Sequence, residues 1–203
     1  MCKTAKAKSE RVLKLLRQRG VIRPRDLDAI GVPRESLRRL VEQGVVERPG
    51  RGLYVAADVQ PTENQTLAEA SVRVPRGVVC LLSALQFHDL TTQAPFEVWM
   101  AIGEKAWLPK VDYPPLRFVR FSTRTLTAFV EKHVVAGVSV RVFTPAKTVA
   151  DCFKYRSKIG LDVALEALRD CWKKRRATMD DLWKAAETCR VSNVMRPYLE
   201  SLV

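Results

Sequence analysis

Histidine is almost absent from this chain, with two in 203 residues, His88 and His133. Little is left for a site built on imidazole chemistry. His88 follows an apolar stretch and reads as a structural residue. Cysteine is sparse and scattered. Cys2, Cys80, Cys152, Cys171 and Cys189 form no C-x-x-C pair, so zinc spacing and a disulfide framework are both missing, and free thiols among apolar neighbours are expected. No Walker-type glycine loop, no G-x-G-x-x-G and no G-x-S-x-G occurs. No apolar run approaches the roughly 18 residues of a membrane span. The basic, polar segment Met1 to Ser9 has no apolar core of the kind a secretory signal needs. The expectation is a cytosolic chain with no membrane partner, no metal, no cofactor and no catalytic residues.

Acidic residues are the scarcer charge, 22 against 35 Lys and Arg, for a net +13. Such a surface attracts polyanions. The surplus is uneven. Up to Ala57 there are 14 basic and 6 acidic residues, and the remaining 146 residues hold 21 and 16. The first quarter therefore carries a net +8 and the rest a net +5.

Residues 1–8 hold Lys3, Lys6 and Lys8 without an apolar pattern and read as a flexible basic arm. A helix is expected over Ser9–Arg19, with Val12, Leu13, Leu15 and Leu16 on one face and Gly20 as its stop. Pro24 opens a second short helix, Arg25–Ile30. Pro33 opens a third, Arg34–Gln43, with Leu37, Leu40 and Val41 inward. Val45–Glu47 and Leu53–Val55 flank Arg48-Pro49-Gly50-Arg51-Gly52 and read as a hairpin. Three short helices followed by a basic hairpin is the order of a winged helix-turn-helix. Asp58–Pro61 is a polar break. After it, Thr62 and Gln65 suit a capping box for a helix over Glu63–Arg73. Val78–Leu90 reads as a buried helix, and Phe96–Ile102 and Leu116–Phe121 as strands. His133–Val135 and Val138–Phe143 read as a hairpin, and Thr144-Pro145 as the start of a helix. Helices are then expected at Leu161–Lys174, Met179–Thr188 and Asn193–Leu202, the middle one capped by Thr178 and Asp181. The fold class is α+β: a winged helix-turn-helix over 9–57, then a mixed α+β domain over 62–203 that ends in helices.

The third helix is the informative one. With Leu37, Leu40 and Val41 inward, Arg34, Glu35, Ser36, Arg38, Arg39 and Glu42 are left on the outside. Arginine's planar fork matches the O6 and N7 acceptors of guanine in the major groove. Ser36 and the open N–H groups of the first turn suit a phosphate. Arg23 and Arg25 stand at the start of the second helix, where phosphate contacts are expected. Arg48 and Arg51 flank Gly50, so the hairpin tip can approach a backbone or a minor groove closely. A solvated face is the alternative, because Glu35/Arg39 and Arg38/Glu42 are ordinary i,i+4 pairs. Lys173-Lys174-Arg175-Arg176 is a second basic cluster, read either as a helix terminus that complements the macrodipole or as an auxiliary phosphate contact. Lys154, Arg156 and Lys158 form a third, with the same two readings. Glu97, Glu104 and Lys105 fit no metal-site spacing, and a nuclease remains only as an alternative.

The N-terminal run resembles the winged helix of the AbiEi family, antitoxins of bacterial type IV toxin–antitoxin systems linked to phage defence by abortive infection. The stretch VVERPGRGLYV, Val45 to Val55, resembles that family's wing. CLLSALQFHDL, Cys80–Leu90, and PAKTVADCFKYRSKIGLDVALEALRD, Pro145–Asp170, resemble segments of its antitoxin domain. The resemblance implies a repressor that binds inverted repeats in double-stranded DNA at its own promoter. It also implies an antitoxin that counteracts a nucleotidyltransferase-like toxin, with no stable complex required. By motif match the DNA-binding role falls on Arg34, Ser36, Arg38, Arg39, Arg48 and Arg51. The antitoxin role falls on the domain after residue 60. A DNA-binding nuclease-like enzyme and a module that directly clamps its partner protein stay open as alternatives.

Overall fold

The computed structural model describes residues 2–58 and 64–202, with side chains from residue 7 onward. Contacts divide it into two compact units. The first holds the chain up to Pro75 together with 110–115 and 134–140, and the second holds 76–109, 116–133 and the chain from Arg141. The expected boundary at 58–61 falls inside the first unit's chain segment, and residues 59–61 themselves lie outside the described residues.

In the first unit, helix α1 spans Cys2–Arg19. Residues 2–8, expected as a flexible basic arm, are helical. The segment is rich in Ala and Lys, both good helix formers, and neither Gly nor Pro interrupts it before Gly20. Gly20 ends the helix in the left-handed region at φ 64°. A side chain there would drive its Cβ to 1.5 Å from the Ala136 carbonyl oxygen, so only glycine fits. Strand β1 (Val21–Ile22) follows, then a 3₁₀ helix at Pro24–Ile30, helix α2 (Glu35–Glu42) and the hairpin β2 (Val46–Gly50) and β3 (Leu53–Ala56). The sheet order is β1-β3-β2, all antiparallel, with Val21 opposite Val55 and Glu47 opposite Val55 on its other side. Val12, Leu16, Ile22, Leu27, Leu37, Leu40 and Val46 pack together as the core of these elements. Helix α3 (Gln65–Arg73) follows in the same unit. It begins after Asn64, and the expected Thr62 cap lies outside the described residues.

The second unit is built on a mixed sheet of order β6-β5-β4-β8-β7, whose hairpin tip, 134–140, groups with the first unit. Its strands are β4 (Val78–Val79), β5 (Val98–Gly103), β6 (Leu116–Phe121), β7 (Val130–Val135) and β8 (Val138–Phe143). The apolar segment Val78–Leu90, expected as one helix, is a two-residue strand followed by helix α4 (Leu81–Phe87). A short buried strand and a buried helix have the same continuous hydrophobicity, and the β-branched pair Val78-Val79 pairs with its neighbours instead of winding. Helix α5 (Thr123–Thr127) was not foreseen. Helix α6 (Pro145–Lys154) starts as expected, with the Thr144 hydroxyl accepting from the Lys147 N–H and Pro145 in the first turn. Helices α7 (Arg156–Ile159), α8 (Leu161–Lys173), α9 (Met179–Cys189) and α10 (Ser192–Glu200) follow. The Thr178/Asp181 capping box of α9 forms in both directions, at 3.0 and 3.1 Å. No helix among the described residues is long and apolar enough to cross a membrane.

Helix α6 is the centre of this unit and packs on α4, α8 and α9. It carries an ion pair wholly excluded from solvent. Lys147 Nζ bonds the Asp151 carboxylate one turn on and stands 4.2 and 4.8 Å from the ring centres of Phe143 and Phe121. The other Asp151 oxygen accepts from the Cys189 thiol at 3.3 Å. Burial raises the Asp151 carboxyl above the usual carboxylate range in spite of Lys147. Cys80, Cys152, Cys171 and Cys189 are buried free thiols, pushed up by burial, Cys171 to about 11 and Cys189 to about 12. They are packing residues rather than nucleophiles.

Removing one partner of this pair strands the other charge in the core. Lys147→Met is expected to cost about 3–5 kcal/mol, and Lys147→Met with Asp151→Leu to recover most of it. In the single variant the Asp151 carboxyl rises further above its unfolded value, so the deficit should shrink as pH falls through that raised value and the carboxyl takes up a proton. Urea denaturation of the three proteins at pH 7 and pH 5 measures this. A double variant as unstable as the single one would refute the assignment.

Candidate nucleic-acid interface

Helix α2 presents the face that its sequence pattern requires. Leu37 and Leu40 are 1% and 2% exposed, Val41 is half-buried, and Arg34, Glu35, Arg38, Arg39 and Glu42 are all exposed. Each arginine is held by one carboxylate. Arg34 Nη2 lies 2.6 Å from Asp28, Arg38 Nε lies 2.8 Å from Glu42, and Arg39 Nη2 lies 3.2 Å from Glu35. The Arg34 guanidinium holds the Asp28 carboxyl below its ordinary range. Pairs this exposed are screened by water and salt and exchange readily. Three exposed guanidinium forks are thus presented at the N-cap and along the outer surface of α2. A bidentate acceptor such as the edge of a guanine can replace the carboxylate at each.

The first turn of α2 offers less than expected. The Ser36 and Leu37 N–H groups already donate to the Pro33 and Arg34 carbonyls, at 3.0 and 3.1 Å, and Ser36 is half-buried. The preceding turn winds directly into the helix and takes up these donors. A phosphate at this end therefore depends on side chains more than on open backbone.

Arg23 is turned inward. Its Nη1 donates to the Val72 carbonyl at 2.8 Å and its side chain is 24% exposed, with burial lowering the guanidinium's affinity for its proton. It ties the start of the 3₁₀ helix to the end of α3, which leaves Arg25, fully on the surface, as the basic group of that turn. In the β2–β3 hairpin, Arg48 and Arg51 are exposed. Arg48 lies 6.0 Å from the ring centre of Tyr54, and the Arg51 carbonyl accepts from the Arg73 guanidinium. Gly50 has a role the sequence did not reveal. An added Cβ would stand 2.8 Å from Tyr113 Cδ1, so the missing side chain makes room for a tyrosine of the same unit. Tyr113 is some 60 residues away along a Pro-rich loop, and no local pattern links the two.

In the second unit, Lys174 is committed to Asp170 at 3.1 Å and to the Asp89 carbonyl at 2.6 Å. The Arg176 N–H bonds the Cys171 carbonyl and Arg175 sits at φ 52°, so this cluster closes α8. The side chains of Lys173, Arg175 and Arg176 nonetheless remain exposed around an open depression of about 730 Å³ beside Trp172. In the third basic group, Arg156 donates to the Phe153 carbonyl and Lys158 lies over the Tyr155 ring at 5.6 Å. His88 donates through Nε2 to the Phe143 carbonyl at 2.7 Å and packs edge-on against Phe87. Burial lowers its affinity for a second proton, as suits a structural, neutral imidazole.

Residues 10–57 match the family of AbiEi antitoxin transcriptional regulators. The AbiEi match runs from α1 through β3 and contains all nine DNA-binding candidates, from Arg23 to Arg51. Cys80–Leu90 and Pro145–Asp170 lie beyond the matched stretch. No curated protein matches the chain. Transcription regulation through DNA and antitoxin activity are the properties of the AbiEi family, and the exposed arginine face of α2 lies in the part of the chain that matches it.

The Gly50 geometry separates two reasons for a glycine. Gly50→Ala should cost about 1–3 kcal/mol of stability, the ordinary penalty of overpacking, and Tyr113→Ala in the same chain should recover part of it. Thermal unfolding of the three proteins measures this. If Gly50→Ala leaves the melting temperature unchanged and weakens DNA binding instead, the glycine serves close approach to DNA and the packing account fails.

Proposed function

We propose that this protein is a sequence-specific, duplex-DNA-binding repressor of its own operon, acting in the cytoplasm, and that it is also an antitoxin that counteracts a nucleotidyltransferase-like toxin. The observation that carries the DNA-binding part is the outer face of α2. Arg38 and Arg39 on the helix and Arg34 at its N-cap stand exposed, and the helix's other face is buried in the core of the unit. The basic hairpin follows directly in the chain, and both lie within the AbiEi match. The arrangement supports a winged helix-turn-helix in which α2 reads base edges and the β2–β3 hairpin is the wing. The resemblance supports inverted repeats at the promoter as the target and an antitoxin role for the residues after 60, without a stable complex with the toxin.

Charge divides the work. The α2 face carries Arg34, Arg38 and Arg39 against Asp28, Glu35 and Glu42, and is balanced. A balanced face adds little long-range attraction. It favours DNA only where the base pattern replaces every displaced carboxylate with an equally good acceptor. That is a source of specificity. The attraction itself comes from the surplus elsewhere in the unit, including Arg25, Arg48 and Arg51, which reads phosphate and carries little sequence information.

Arg48→Ala with Arg51→Ala should flatten the log–log salt dependence of operator binding by about 1–2 units. Operator and scrambled duplex should weaken by similar factors. Arg39→Ala should instead weaken operator binding by about 1–3 kcal/mol and leave scrambled DNA nearly unchanged. Affinities for both duplexes at several salt concentrations test this. Equal slopes in the wild type and the wing variant would remove the wing from the interface. An Arg39 variant with full operator affinity would remove α2.

A further inference from the structure

The second unit holds a cavity of about 350 Å³ whose lining is unlike the α2 face. Its charged lining residues are Arg120, Arg124, Lys154 and Arg190, with Glu104 as the lone carboxylate. The volume falls in the range of small-molecule sites, roughly 300–1,000 Å³. The cations come from separate elements: Arg124 from α5, Lys154 from the last residue of α6, and Arg190 from the C-cap of α9. All three are exposed, and among the described residues none of them is in an ion pair. On α2 every arginine has a carboxylate. Here three cations line one cavity and none of them is paired with its single carboxylate, Glu104, among the described residues. Arg190 also occupies a left-handed C-cap, at φ 60°, which glycine ordinarily fills at lower cost.

Arg120 is used differently. Its guanidinium donates to the carbonyls of Gly103, Glu104 and Ala106, the last at 3.0 Å, and fastens this loop at the edge of the cavity. The next residue is Trp107, whose Cα is about 3.8 Å from that of Ala106 by chain geometry. Trp107 is 95% exposed. The loop that Arg120 fastens at the cavity edge thus continues into an exposed indole, and an indole with a set of cations is the pairing that stacks a base and neutralises its phosphates. Glu104 disfavours a bare phosphate on its side of the cavity, and a carboxylate is a fitting acceptor for ribose hydroxyls.

We propose that this cavity is a nucleotide site, in which Arg124, Lys154 and Arg190 hold the phosphates and Trp107 stacks the base. The ligand is a nucleoside phosphate, either free or at the end of a single strand. Its residues all belong to the second unit, and the proposal does not depend on the function proposed for α2 and the hairpin.

The test is calorimetric titration of the full chain, in EDTA, with ATP, with pyrophosphate and with a 5′-phosphorylated single-stranded RNA hexamer. ATP and the hexamer should bind, and compete with each other. Arg124→Ala with Lys154→Ala should weaken ATP and pyrophosphate alike by at least tenfold. Trp107→Ala should weaken ATP by roughly fivefold or more, the lower end of the worth of one stacked base, and leave pyrophosphate unchanged. All three positions are exposed, so melting temperatures should hold. Whichever of ATP and the hexamer binds more tightly identifies the source of the nucleotide, and either ranking supports the site. Undiminished ATP affinity in the double variant would overturn the proposal. So would displacement of ATP by random duplex DNA as effectively as by the hexamer, which would mark a general basic surface.

Discussion

Lys147 and Asp151 bring two opposite charges into a space closed to water, and the second unit is arranged around them. The cost of drying both ions is large, and their mutual attraction offsets it only with further partners in place. Those partners come from different directions: the rings of Phe121 on β6 and Phe143 on β8 over the ammonium, and the Cys189 thiol on α9 against the carboxylate. The Thr148 hydroxyl bonds the Phe143 carbonyl, and His88 bonds the same oxygen from the end of α4. Sheet and helices thereby meet at one fixed register of α6.

The first unit solves a different problem. Its main core cluster is small and apolar, and segments remote in sequence complete the unit: Ala136 against Gly20, Tyr113 against Gly50, Val72 against Arg23. Those contacts position the helix and hairpin that carry the exposed arginines. The α2 face is electrically balanced, so in the proposed function affinity for DNA in general and preference for one sequence reside in different residues. Such a separation keeps non-specific binding from swamping recognition, because strengthening the wing raises both terms equally.

Much of this was legible in the residues. The inward and outward faces of α2 follow from Leu37 and Leu40 at helical spacing, and the hairpin from Pro49, Gly50 and Gly52 between two short apolar runs. The starts of α6 and α9 follow from Thr144-Pro145 and Thr178 with Asp181. In each case the determinant lies within four residues of what it determines. What was missed depends on distant partners. Strand β1 has two residues and exists only because β3 pairs with it. Val78-Val79 is extended because β5 and β8 flank it. Arg23 looked like a surface cation until α3 supplied the Val72 carbonyl, and Gly50 looked like a tip glycine until Tyr113 was seen against it. Lys147 and Asp151, at i,i+4, have the spacing of an exposed helical pair, and only the surrounding rings and helices reveal them as buried.

The central claim is that α2 enters the major groove of its operator. Methylation interference measures this most directly, because dimethyl sulfate marks guanine at N7, an atom that lies in the major groove. With the promoter fragment as target, methylation at guanines placed symmetrically in the two half-sites should block binding of the wild-type chain. In the Arg39→Ala protein one of those positions in each half-site should cease to matter. Binding that tolerates N7 methylation everywhere in the operator would contradict the account.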